Sequence, residues 1–174
     1  MTQQEFVLAI YPTVRGYSFV LFEGPESPFD WGTKEIRQVP KNQAIVDYVA
    51  TLIERYHPQV LILEDCEDRR CRRTLRVKKL CRALVDLAAT SQLEVHLYSR
   101  EAIRRCFAAA GAHTKSEIAQ VVARHIPAFK HRLPPLRKIW MSEDARQSLF
   151  DAAALGLTFY CSSATANLRE DAEK

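Results

Sequence analysis

Two carboxylates stand where a folded domain has little reason to leave a bare charge. Glu64 follows the apolar run Val60-Leu61-Ile62-Leu63, at the mouth of what reads as a buried strand, and Asp151 precedes Ala152-Ala153-Ala154-Leu155 inside a mostly apolar helical segment. Burying either one uncompensated costs several kcal/mol. A metal ion is one form of compensation; exposure to solvent or pairing with an arginine is the plainer one. Oxygen ligands without an accompanying Cys or His suit Mg²⁺ or Mn²⁺ better than zinc, and Mg²⁺ is commonly held by one or two carboxylates together with a substrate phosphate. Glu64 and Asp151 are therefore the candidate catalytic and metal-binding residues.

A second feature sits close to Glu64 in the chain. Between Glu67 and Arg82, eight basic residues (Arg69, Arg70, Arg72, Arg73, Arg76, Lys78, Lys79 and Arg82) face only two acids, although the whole chain has a net charge of just +4. Such a concentration suits a polyanion, since each phosphate neutralised releases counterions. A solvated helix face is the alternative.

These residues need elements to position them. Phe6–Ile10 and Tyr17–Phe22, separated by Pro12 and Gly16, predict a hairpin, and Thr33–Val39 a third strand after a Gly24-Pro25, Ser27-Pro28 loop. Asn42 is placed to cap a helix carrying Ile45, Val46, Val49, Leu52 and Ile53. The run Val60–Leu63 has the continuous apolar character of a buried parallel strand. The basic stretch, continued through Leu80, Leu84, Leu87 and Ala88, predicts one long helix leading to a strand at Leu93–Tyr98, so strand, helix and strand form a parallel crossover. Ser99 caps a helix through Arg105, and Thr114 one through Ala123 with Glu117 at the capping-box position. Arg132–Arg137 is a basic, proline-containing loop. A last helix is expected from about Ser142, ending in a polar tail from Ser162. The expected organisation is one domain, residues 1–161, with a C-terminal tail, 162–174, and an α/β fold whose central mixed sheet of about five strands has helices on both faces.

Composition narrows the class. With 174 residues, 47% hydrophobic and 26% charged, the chain suits one globular domain. The longest nearly apolar run, Ala152–Cys161, is about half the ~18 residues a membrane span needs. Met1–Glu5 shows no basic segment ahead of an apolar one, which points to a cytoplasmic protein. Five cysteines without a Cys-x-x-Cys pair read as reduced thiols rather than a disulfide framework or zinc knuckle.

The order of the pieces resembles the RuvC-type Holliday junction resolvases of the RNase H-like superfamily, over nearly the whole chain. Ala9–Tyr17 is similar to that family's first hairpin, Leu63-Glu64-Asp65 to its acidic strand end, and Leu75–Arg82 to its long helix. Val95–Ile103 is similar to its fifth strand and following helix, Gly111–Ile118 to its glycine-led loop and basic helix start, and Ser148–Leu155 to its C-terminal catalytic helix. The resemblance implies an RNase H-like fold, branched or structured DNA as partner, a homodimer, and Mg²⁺ or Mn²⁺ as cofactor of phosphodiester hydrolysis. Lys115 matches a phosphate-contacting position, with Arg132, Arg137 and Lys138 extending the track. Leu80, Leu84 and Leu87 are the expected dimer stripe, unless they pack on the chain's own sheet.

Two positions depart from the family pattern. Its first catalytic aspartate, directly before the proline, is Tyr11 here, and the acid or histidine three residues before its last aspartate is Ser148. A phenol protonated near pH 7 does not bridge two Mg²⁺ ions as a carboxylate does. Asp144 shares a helical face with Asp151 if the helix starts at Ser142, but two turns span ~10 Å. Three functions are consistent with this pattern. The first is a RuvC-like protein that binds branched DNA with catalysis impaired or lost; the second is a working Mg²⁺ or Mn²⁺ endonuclease in which Asp144 completes the site; the third is a protein-interaction scaffold on this fold.

Overall fold

A computed structural model describes residues 5–138 and 140–172, with side chains described up to residue 164. The N-terminal residues 1–4, from which the cytoplasmic reading was partly drawn, lie outside it, as do 173 and 174 of the expected tail. Five strands, β1 (Val7–Pro12), β2 (Gly16–Gly24), β3 (Ser27–Glu35), β4 (Val60–Glu64) and β5 (Glu94–Tyr98), form one sheet in the order β3-β2-β1-β4-β5. The first three are antiparallel; β1, β4 and β5 run parallel. Helices α1 (Lys41–Tyr56) and α2 (Leu75–Thr90) cover one face. The other face carries α3 (Arg100–Ala108), α4 (Lys115–His125) and α5 (Gln147–Ala172). This is the mixed α/β sheet expected, flanked by helices on both sides.

Strand parity decides which residues meet. On β1, Leu8 and Ile10 enter the α1/α2 core, whereas Val7 and Ala9 enter the α4/α5 core. On β4 the division is the same: Leu61 and Leu63 to one side, Val60 and Ile62 to the other. Ala9 pairs with Ile62, so the next residues of the same parity, Tyr11 and Glu64, emerge together beneath α5.

Several local expectations are corrected. The third strand starts at Ser27 rather than Thr33, because Glu26, in left-handed conformation, makes the turn tight and Pro28 sits at an edge where its missing N–H is harmless. Helix α1 starts at Lys41 with Pro40, not Asn42, at its cap. The basic stretch is not one helix. Asp65 accepts from the Glu67 N–H and Asp68 from the Arg70 N–H, bonds that hold residues 65–70 in turns, and α2 begins only after Thr74, whose hydroxyl caps the Val77 N–H. Arg69, Arg70, Arg72 and Arg73 therefore lie on a loop. Leu80 and Leu84 are completely buried against the sheet and Leu87 packs on the same cluster, so this stripe belongs to the chain's own core and is not available to a second copy. Helix α5 starts at Gln147, five residues later than expected, because Asp144 accepts from the Arg146 N–H in a turn. It then continues through Ala172 instead of fraying at Ser162. Among the described residues no helix is long and apolar enough to cross a membrane.

Candidate functional site

Tyr11 from β1, Glu64 from β4, Lys115 from α4 and Asp151 from α5 line one pocket together with the exposed Arg100 and Arg104 of α3. The sequence reading brought Tyr11, Glu64, Lys115 and Asp151 to this region, and the structure places them together. What it adds is how the charges are balanced.

Each carboxylate has its own cation from the same chain. The Arg73 Nη1 donates to Glu64 Oε2 at 3.0 Å, with the two side chains only 18% and 11% exposed. The other Arg73 nitrogen donates to the Pro12 carbonyl, tying the loop before α2 to the end of β1. Lys115 Nζ lies 3.4 Å from Asp151 Oδ2, 3.5 Å from the Tyr11 hydroxyl and 3.1 Å from both oxygens of Glu143. Gln147 donates to the second Asp151 oxygen at 3.2 Å. Lys115 is held in place by the capping box beneath it: the Thr114 hydroxyl accepts from the Glu117 N–H, and the Glu117 carboxylate accepts from the Thr114 and His113 N–H groups.

Burial pushes the Asp151 carboxyl above the usual carboxylate range, against the opposing pull of Lys115 and the Gln147 hydrogen bond. For Lys115, burial favours the neutral amine, but Asp151, Tyr11 and Glu143 outweigh it and the ammonium is retained more tightly than usual. Tyr11 is raised as well, first by burial and then by Asp151, so its phenol keeps its proton at neutral pH. The Arg73 guanidinium lies over the Tyr11 ring face.

A pair of divalent ions needs carboxylates that each metal can share. Tyr11 contributes none, Glu64 and Asp151 are already in ion pairs, and among the described residues no group of three or more His, Cys, Asp or Glu side chains is arranged to hold a metal. These residues do not fit a two-metal centre. Ser148, the second departed position, turns away from the pocket: its hydroxyl is buried against that of Ser18 at 2.7 Å. Asp144, the candidate substitute, lies ahead of α5 rather than on it. It is committed to Arg146, with both oxygens engaged at 2.8–2.9 Å, and this pairing pulls its carboxyl down to about 2. It lines the adjoining groove, not the pocket of Glu64 and Asp151.

The expected nucleic-acid residues divide into two groups. Arg73, Arg76, Arg82 and Lys115 are used internally: Arg76 donates to the Thr13 carbonyl and to Asn42, and Arg82 pairs with Glu67 at 2.6 Å. Arg69, Arg70, Arg72 and Lys79 are exposed and form no ion pair among the described residues, and Lys78 is half-buried on α2. Arg100 and Arg104 were missed by sequence reasoning. Their signal was present as two arginines one turn apart on the helix that follows β5, but nothing local indicated that the α3 face would border Glu64.

No protein-family model matches the chain, and no curated protein matches it either. Among solved structures, Thermus thermophilus RuvC is similar over 92% of this chain and 96% of its own, with a TM-score of 0.67 at 20% identity. The fold is that of a RuvC-type resolvase. T. thermophilus RuvC in complex with a Holliday junction substrate matches with a TM-score of 0.65 at 18% identity over 92% of this chain and 96% of that one. The fowlpox virus Holliday junction resolvase follows at 0.53 and 14%, covering 90% and 98%. The RuvC-type fold accounts for the place of the pocket: it opens at the ends of the central parallel strands β1 and β4, where β1 also begins the antiparallel half of the sheet, beneath the C-terminal helix.

Proposed function

We propose that this protein binds branched DNA on a RuvC-type fold and that phosphodiester hydrolysis by two metal ions is impaired or lost. The observation that carries the reading is the pocket itself: Tyr11 in place of a bridging acid, and Glu64 and Asp151 each paired with a cation of the same chain. Retained exposed arginines on the 69–72 loop, beside the pocket, supply the phosphate contacts that position a duplex without reading its bases. A four-way junction offers two equivalent strands, so a homodimer belongs to the proposal, through a surface other than the buried leucines of α2. The free thiols, among them Cys66 and Cys81, which share a hydrogen bond at 3.1 Å rather than a disulfide, suit a reducing compartment such as the cytoplasm.

A gel series with a labelled four-way junction and a matched linear duplex, in EDTA, Mg²⁺ or Mn²⁺, beside Asp151→Asn, tests this reading. Retarded, uncut junction with both proteins is the expected result. Junction cleavage that disappears in Asp151→Asn would overturn it in favour of an active endonuclease. Absence of junction binding would favour the scaffold function.

A further inference from the structure

The two ion pairs have a consequence for what the pocket accepts. Without them, Glu64 and Asp151 would present two negative charges to any phosphate approaching the site, and in a metal-dependent nuclease divalent ions remove that repulsion. Here the pocket carries its own neutralisation. Arg73 and Lys115 are both more than two-thirds buried and within 3.0–3.4 Å of a carboxylate oxygen. The two arginines at the outer wall, Arg100 and Arg104, are exposed and have no acidic partner among the described residues. The inner cations are spent on the acids, Lys115 on Glu143 as well as Asp151, while Arg100 and Arg104 remain available, so four cations meet three acids and the surplus charge toward a ligand is positive.

We infer that Arg73 and Lys115 do the electrostatic work of the metal ions, making the pocket a phosphodiester-binding site that needs no divalent cation, with Arg100 and Arg104 contacting the phosphate. This deepens the proposed function and rests on DNA being the ligand. Guanidinium groups offer paired N–H donors to phosphate oxygens, and their i, i+4 spacing on α3 sets both on one side of the helix.

Junction affinity is measured in EDTA and in Mg²⁺ for the wild type, Arg73→Gln/Lys115→Gln, and Arg100→Ala/Arg104→Ala, together with Mn²⁺ uptake by each DNA-free protein. The wild type binds equally in both buffers and takes up no Mn²⁺ at the pocket. The Arg73→Gln/Lys115→Gln protein binds about tenfold more weakly in EDTA, recovers in Mg²⁺, and acquires a Mn²⁺ site. Arg100→Ala/Arg104→Ala, altered only at exposed positions, loses affinity in both buffers and shows a salt dependence shallower by about two phosphate contacts. Wild-type binding that requires Mg²⁺, or Arg100→Ala/Arg104→Ala binding as well as wild type, overturns the inference while leaving DNA binding in place. If the wild type binds no junction in either buffer, the proposed function falls and the phosphodiester site with it. Should Arg73→Gln/Lys115→Gln fail to fold, the wild-type buffer comparison and the exposed α3 variant still decide the matter.

Discussion

The Arg73 guanidinium carbon lies 4.7 Å from the centroid of the Tyr11 ring. The same side chain holds Glu64, so one residue from the loop before α2 contacts both Tyr11 and Glu64. A cation on an aromatic face in a partly desolvated site contributes about 0.5–2 kcal/mol. An aspartate at position 11 would attract Arg73 too, but as a third carboxylate rather than as an uncharged face. Tyrosine adds no charge to a cluster in which Arg73 and Lys115 already answer Glu64, Asp151 and Glu143.

An acid at position 11 should not by itself create a metal site. In Tyr11→Asp, a Mn²⁺ ion still competes with Lys115 for Asp151. Calorimetry should find Tyr11→Asp binding Mn²⁺ about tenfold more weakly than Tyr11→Asp/Lys115→Gln, the effect expected from removing a competing buried charge. Equal affinities would show that Lys115 does not keep metal out.

Salt titration separates phosphate contacts from structural arginines. The wild-type junction affinity should fall steeply with salt, and Arg69→Ala/Arg70→Ala should reduce the slope by up to about two. Arg76→Ala should leave the slope unchanged and lower thermal stability, since its guanidinium ties α2 to Thr13 and Asn42.

The seating of α5 depends on a glycine. A Cβ at Gly156 would collide with the fully buried Phe22 ring on β2. Gly156→Ala is expected to cost about 1–3 kcal/mol in denaturant unfolding, the usual range for overpacking. Phe22→Leu in the same chain should return part of that loss by making room.

The capping box makes the anchorage of Lys115 dependent on pH. The His113 and Thr114 N–H groups hold the Glu117 carboxyl below its ordinary value of 4.5. A carboxylate depressed on folding adds stability that is fully present above its unfolded pKa and is lost as pH falls through the lower folded value. The melting-temperature difference between wild type and Glu117→Gln should therefore be largest at neutral pH and shrink below about pH 4.5. A difference that grows on acidification would contradict the cap.

Features encoded locally were legible in the sequence. The hairpin, β4, β5 and the Thr114 capping box each declare themselves within a few residues, and Glu64 and Asp151 stood out as acids at the edge of apolar runs. Boundaries failed where short polar side chains bonded to nearby backbone: Asp65 and Asp68 delay α2, and Asp144 delays α5. The charge balance of the pocket was not legible, because Lys115 and Asp151 are separated by 36 residues, and Arg73, nine residues from Glu64, is one of eight basic residues there and is singled out only by its bond to Pro12, 61 residues away. Whether a basic side chain faces solvent or an acid depends on the packed fold, not on its neighbours in sequence.

The buried hydroxyls behind the pocket fix what position 148 can hold. Ser148 gives its single hydrogen to the Ala145 carbonyl, so in its 2.7 Å contact with Ser18 it must accept, and Ser18 in turn must accept from Thr33. The three hydrogens run in one direction, from β3 through β2 to the turn before α5. A carboxylate at 148 has no hydrogen to give and would set its oxygen against that of Ala145. An acid at 148 therefore requires the turn before α5 to be rebuilt as well, so the neighbours of Ser148 hold that position to a hydroxyl.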